Sequence, residues 1–175
     1  MKKNVLIALM IGIFCLAHNA EAQYNPFANN DKLLNAGIGI SGWGVPIYAS
    51  IEFGVVDNIS VGAGLSYQSD TERVSNFKWS HDILGIMVFG NYHLNEVLDI
   101  PDQFDLYAGL SLGYYSWSTK SNDAVINYGG SGSGGLGIAG QIGGRYFVTD
   151  NVGINLELGG GSVLSSGRLG VTVTF

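Results

Sequence analysis

Cysteine is almost missing from this chain. Cys15 is the only one among 175 residues, so no disulfide framework or paired thiol chemistry is available. Proline is scarce, with three residues, and charge is thin, with Asp, Glu, Lys and Arg together at 13%. No apolar run reaches the roughly 20 residues that a membrane-spanning helix needs. Histidine is limited to three residues, and His81 and His93 are not clustered in sequence with other ligand types. No metal site and no cofactor are expected.

The longest apolar stretch, Val5 to Ala17, follows Lys2 and Lys3 and precedes Ala20-Glu21-Ala22. A basic start, a short apolar run and a small-residue site predict a cleaved secretory signal peptide over residues 1–22. Cys15 lies inside it, and Phe14 before it is too large for a lipoprotein signal. Residues 23–175 are then one domain, with six basic and thirteen acidic residues and a net charge of −7. That balance argues against a nucleic-acid partner.

What is abundant is glycine, 27 residues, with 11% aromatic residues. There is no G-X-Y period, so this is not collagen. The glycines sit inside eight segments of apolar/polar alternation, the period of a β-strand. These run Leu34–Trp43, Ile47–Val55, Ile59–Tyr67, Ile83–Tyr92, Leu106–Trp117, Leu136–Val148, Val152–Gly159 and the C-terminal stretch RLGVTVTF. The fourth reads either way, and the face with Leu84, Ile86, Val88 and Tyr92 is taken as apolar. FGVVDNISVG and YFVTDNVGIN place Asp-Asn in three-residue turns, where Asn tolerates a left-handed backbone. Residues 69–80 and 118–134 read as larger loops on the other side. Gly-Gly-Ser-Gly-Ser-Gly-Gly within the second has neither the lysine nor the helix of a phosphate loop.

The face opposite the apolar one is small and nearly uncharged: Asn35, Gly37, Gly39, Ser41; Ser50, Glu52, Gly54; Ser60, Gly62, Gly64. A water-facing sheet surface would carry many Lys and Glu. The glycine-rich face is therefore expected to be the narrow interior of a barrel, and the apolar face to meet lipid. Eight strands leave an interior that side chains fill, and a closed barrel pairs every backbone group in hydrocarbon. The fold predicted is all-β, an eight-stranded antiparallel up-and-down transmembrane β-barrel. Tyr67 and Tyr114 near the loops, and Phe53, Tyr92, Tyr146 and Phe175 near the turns, fit two interfacial girdles.

PIYASIEFGVVDNISVGAGLSY, GNYHL and DLYAGLSLGYY resemble the small OmpA/OmpX-like outer-membrane β-barrel proteins, in the form common in the Bacteroidetes. The resemblance covers nearly all of residues 23–175. It implies the outer membrane as location, lipid as surroundings, and barrel-assembly machinery as a partner in biogenesis. Leu169, Val171, Val173 and the terminal Phe175 resemble the signal that machinery reads. A monomer is expected. The family spans adhesins, structural barrels, transporters and a few enzymes, so the resemblance fixes no activity.

Three functions stay open. The first is a non-enzymatic barrel acting through loops 69–80 and 118–134 on an unknown extracellular partner. The second is a small pore or path for apolar solutes, which Tyr, Phe, Arg and Glu in the lumen would block. The third is an outer-leaflet lipid-modifying enzyme. Ser80-His81-Asp82 is the cluster to weigh for that, with Ser116 or Ser118 as other hydroxyls. Neighbours along a strand point to opposite faces, so no catalytic residue is assigned; His93, beside a turn, is weaker still. In the lumen, Glu52, Arg145 and Glu157 are expected to form a charge cluster. Glu52 and Arg145 stand at equal height on strands two and six, across the barrel from one another.

Overall fold

A computed structural model describes residues 32–41, 44–74, 77–121, 132–162 and 166–175. The predicted signal peptide lies outside the described residues. Eight strands appear in order: β1 (Lys32–Ser41), β2 (Ile47–Val56), β3 (Ile59–Val74), β4 (Phe77–His93), β5 (Phe104–Ser121), β6 (Gly132–Phe147), β7 (Val152–Gly161) and β8 (Ser166–Thr174). Each pairs antiparallel with the next, and β8 pairs with β1 from Leu33↔Thr174 to Ser41↔Ser166. The barrel is closed.

The alternation decides the two faces. Leu110, Leu136, Ile138, Ile142, Leu156 and Leu169 are each more than half exposed on the outer wall. Such a belt in water would be untenable, and lipid is the medium that suits it. All six predicted girdle aromatics face outward. On β4 the outward set is Leu84, Ile86, Val88 and Tyr92, whereas Ile83 and Met87 are buried.

Glycine frequency has a packing cause. Each of five inward aromatics stands directly across a ladder from a glycine: Tyr48 from Gly37, Phe89 from Gly62, Tyr107 from Gly143, Tyr115 from Gly85 and Phe147 from Gly153. For Phe89, Tyr107, Tyr115 and Phe147 the ring lies over the glycine opposite, whereas Tyr48 reaches past Gly37 to bring its hydroxyl over Gly170. A Cβ at Gly143 would collide with the Tyr107 ring, and one at Gly62 with Phe89.

The connections depart from the sequence reading. The β2–β3 turn is two residues, not three: Asp57 and Asn58, with Asn58 left-handed at φ 63°. A bulge between Gly54 and Val56 absorbs the extra residue, Val55. The β6–β7 turn is longer, Val148 to Asn151, and Asn151 is not left-handed. The Thr149 hydroxyl accepts from Val152 N at 3.0 Å and sets its shape instead. Between β4 and β5 the chain makes one helical turn, α1 (Asn95–Leu98).

The largest correction concerns the two long loops. Most of 69–80 is strand, because β3 and β4 stay paired to Val74↔Phe77. Likewise β5 and β6 continue to Ser118↔Gly132, and residues 122–131 lie outside the described residues. The β2–β3 ladder stops at Ile47↔Tyr67, and the β6–β7 ladder at Ala139↔Gly161. Strands β3 to β6 thus project past their neighbours on the loop side.

Candidate functional site

The lumen is the site that the fold builds with most care. Its centre is Arg145, 3% exposed, on β6. Its Nη2 donates to Glu52 Oε2 on β2 at 2.5 Å, and its Nη1 to Asp105 Oδ2 on β5 at 2.7 Å. Both carboxylates are fully buried. Glu52 Oε1 also accepts from the Ser60 hydroxyl at 2.5 Å and from Asn91 Nδ2 at 3.0 Å. His93 Nδ1 lies 2.7 Å from Asp105 Oδ1, and its Nε2 lies 2.9 Å from Ser60 Oγ. The Tyr107 ring stacks against the guanidinium, 4.4 Å from Cζ to centroid. Two buried carboxylates are tolerable because a forked cation and several neutral donors satisfy them together.

Glu157 stands apart from this group. Its Oε1 accepts from Arg168 Nη1 on β8 at 2.8 Å, and its Oε2 from the Tyr107 hydroxyl at 3.0 Å. The structure therefore brings Glu52 to Arg145, and places Glu157 in a second pair joined to the first through Tyr107. A neutral chain completes the wall. Tyr48 donates to Asn155 Oδ1 at 2.6 Å, Asn155 to Thr172 at 2.9 Å, and Thr172 to Asn35 at 2.6 Å. All eight strands contribute. Between the two pairs the lumen leaves a cavity of about 20 Å³, and one of about 30 Å³ lies beyond Arg168 and Tyr48. Each is sized for about one water.

Ser60 was expected on the inward face; Asp105, His93 and Arg168 were not among the residues expected in the lumen. The signal was the alternation itself, continued by one or two residues. Asp105 shares the inward set of Tyr107, His93 that of Asn91, and Arg168 that of Gly170 and Thr172. Strands ended early at Tyr92 and Leu106, and so left the first two in a turn.

Ser60, His93 and Asp105 have the spacing of a nucleophile, a base and an orienting carboxylate. Their surroundings work against that role. The Ser60 proton is directed to Glu52 rather than to the imidazole. The second oxygen of Asp105 is held by Arg145. All three residues are at most 1% exposed, which leaves a substrate no approach. At the other end, His81 is exposed and is placed opposite Asp70, while Asp82 accepts from the Tyr67 hydroxyl at 3.1 Å. The Ser80 side chain lies outside the described residues.

At the chain end, Leu169, Val171 and Phe175 are exposed on the outer wall. Val173 shares their face but is only 2% exposed, between Leu34 on β1 and Val152 on β7.

The architecture has solved counterparts. OprG from Pseudomonas aeruginosa matches with a TM-score of 0.66 at 10% identity, over 87% of this chain and 99% of that one. The fold is that of the eight-stranded outer-membrane barrels. The barrel domain of Pseudomonas aeruginosa OprF matches at 0.60 and 13% identity, over 84% of this chain and 98% of that one. Ail of Yersinia pestis, the attachment invasion locus protein, matches at 0.57 and 12%, over 85% and 100%. No family model matches the sequence, and no curated protein does. Fold and apolar belt together make this chain a transmembrane barrel of the outer-membrane kind.

Proposed function

We propose that this protein is a non-enzymatic outer-membrane barrel of the OmpA/OmpX-like group, in its Bacteroidetes form, that makes surface contacts through the sheet projecting on its loop side. One observation carries this reading. From Gly132 to Gly135, beyond the girdle level at which Tyr114 pairs with Leu136, no described strand pairs with the outer edge of β6, although β5 pairs with its inner edge. An open strand edge outside the membrane offers a row of backbone donors and acceptors to an extended segment of another protein. A solved neighbour of the same fold, Ail, is an attachment protein crystallised with a heparin analogue, which supports a surface role. The sequence stretches quoted above support the Bacteroidetes form. The outward placement of Leu169, Val171 and Phe175 supports recognition of β8 by assembly machinery, and the closed single-chain ladder supports a monomer.

The test compares proteoliposomes carrying the intact barrel with ones whose projection is cut back to tight turns. Binding to surfaces coated with matrix proteins should fall to background in the trimmed form. Equal binding by both forms would contradict the reading. A pore is disfavoured by the two charge pairs across the lumen, and planar bilayers holding the protein should show no steady conductance.

A further inference from the structure

The arginines of the lumen do not balance its carboxylates. Among the described residues between Phe147 at the turn end and Gln68 at the loop end, the lumen holds Glu52, Asp105 and Glu157 against Arg145 and Arg168. Glu157 has Arg168 to itself, so the excess falls on Glu52 and Asp105, which share Arg145. A buried charge without its counter-charge is too costly to keep. The remaining basic side chain at that level is His93, 1% exposed.

The hydrogen bonds around His93 ask for the same charge. Its Nδ1 lies 2.7 Å from Asp105 Oδ1, and its Nε2 lies 2.9 Å from Ser60 Oγ and 3.6 Å from Glu52 Oε1. A hydroxyl has one proton to give. That of Ser60 goes to Glu52 Oε1 at 2.5 Å, so Ser60 meets Nε2 as an acceptor. Asp105 meets Nδ1 as an acceptor too, and Arg145 Nη1, donating to its other oxygen at 2.7 Å, favours the anion. Both ring nitrogens must therefore donate, which only the imidazolium does. Neither neutral tautomer fits. With the hydrogen on Nε2, lone pairs oppose one another across the contact with Asp105. With the hydrogen on Nδ1, Ser60 must turn its proton to Nε2, and Glu52 loses a donor.

The other neighbours accommodate the charge. Asn91 is neutral and donates to Glu52 Oε1 at 3.0 Å. The Tyr107 ring is tilted to the imidazole, with centroids 5.8 Å apart. Glu157 reaches the group only through the Tyr107 hydroxyl. Arg145 is the like charge, and Asp105 stands between the two with one oxygen for each.

We infer that His93 is a buried imidazolium, the third cation of the lumen, and acts as a proton-held lock on the turn-side end of the barrel. From β4 it holds Asp105 on β5, Ser60 on β3 and, through Ser60, Glu52 on β2. Its backbone N–H also donates to Asn58 O at 2.8 Å, which ties the lock to the β2–β3 turn. When rising pH takes the proton to solvent, the neutral ring has one N–H for two acceptors. The contact to Asp105, or the Ser60–Glu52 contact, is then lost, and this end of the barrel loosens.

The experiment reads the ring nitrogens of the refolded barrel in micelles by NMR after nitrogen-15 histidine labelling, with His93 assigned through its contact with the Tyr107 ring. At neutral pH both nitrogens of His93 should carry hydrogen. Urea unfolding from neutral pH upward reads the lock itself. An unfolded histidine is largely neutral there, so the folded-to-unfolded ratio of the parent should fall by up to about tenfold per pH unit. His93→Gln, verified as folded by heat-modifiable gel migration, should lack that part of the dependence. A hydrogen on only one ring nitrogen of His93 at neutral pH overturns the inference in the parent protein alone, and so does an equal pH dependence of parent and His93→Gln.

Discussion

Replacing Arg145 by alanine should be among the most damaging single changes to this barrel, and the structure says how the damage can be relieved. The guanidinium serves two carboxylates that have no exposure, Glu52 at 2.5 Å and Asp105 at 2.7 Å. Its loss strands both. Removing one partner of a buried pair costs about 3–5 kcal/mol, and with two carboxylates dependent on one cation the upper end is expected. Glu52→Gln alone keeps the shape and the Ser60 contact, leaves Arg145 with Asp105, and should cost about 1–3 kcal/mol. In the double variant one orphaned charge is gone, so the losses should fall short of their sum by about 2 kcal/mol. Glu157 is the internal control. Its cation is Arg168 at 2.8 Å and it meets the Arg145 group only through Tyr107, so Glu157→Gln should couple to Arg145→Ala clearly less than Glu52→Gln does. The assay is urea unfolding of refolded protein in lipid vesicles, followed by tryptophan fluorescence and heat-modifiable migration. Additive losses for Arg145→Ala and Glu52→Gln, or equal coupling to Glu157, would refute the reasoning.

Leu110→Arg and Ile138→Arg, on the lipid face, should each cost roughly 2–4 kcal/mol near midplane and deplete folded protein from outer-membrane fractions, whereas Ser111→Asn on the inner face should assemble normally. Gly143→Val should lower the urea midpoint by the equivalent of about 1–3 kcal/mol through collision with Tyr107, and Tyr107→Ala should relieve part of that loss. Phe175→Asp should slow assembly and leave periplasmic precursor, measured by fractionation. Ser60→Ala should leave serine-directed fluorophosphonate labelling unchanged at background, because the hydroxyl is buried beneath Glu52; clear labelling of the parent protein at Ser60 would contradict this.

The fold was legible because a barrel wall repeats one rule on every strand. Two-residue alternation, glycine on one face and aliphatics on the other, is enough to assign inside and outside, even on β4 where Ile83 and Met87 blur the pattern. Strand ends were less legible. Residues 69–80 are mostly polar, and polarity reads as loop, yet the backbone pairing of β3 with β4 continues to Val74↔Phe77. The lumen was legible only in part. Glu52 and Arg145 have nearly two turn ends as rulers, so their equal height could be counted. Asp105 and His93 were taken for turn residues because β4 and β5 run one and two residues further than their apolar stripes. Arg168 was passed over inside a stretch read for its apolar members. Which carboxylate takes which cation depends on shear between strands, which a single sequence does not display.

The facing of the wall is the claim on which everything else depends, and β5 is the strand on which to measure it. Spin labels placed singly at Ala108, Leu110, Ser111 and Leu112 in outer-membrane vesicles would report access to oxygen dissolved in the hydrocarbon. The structure predicts high access at Ala108, Leu110 and Leu112 and low access at Ser111. Equal access at all four positions, or a maximum at Ser111, would contradict it.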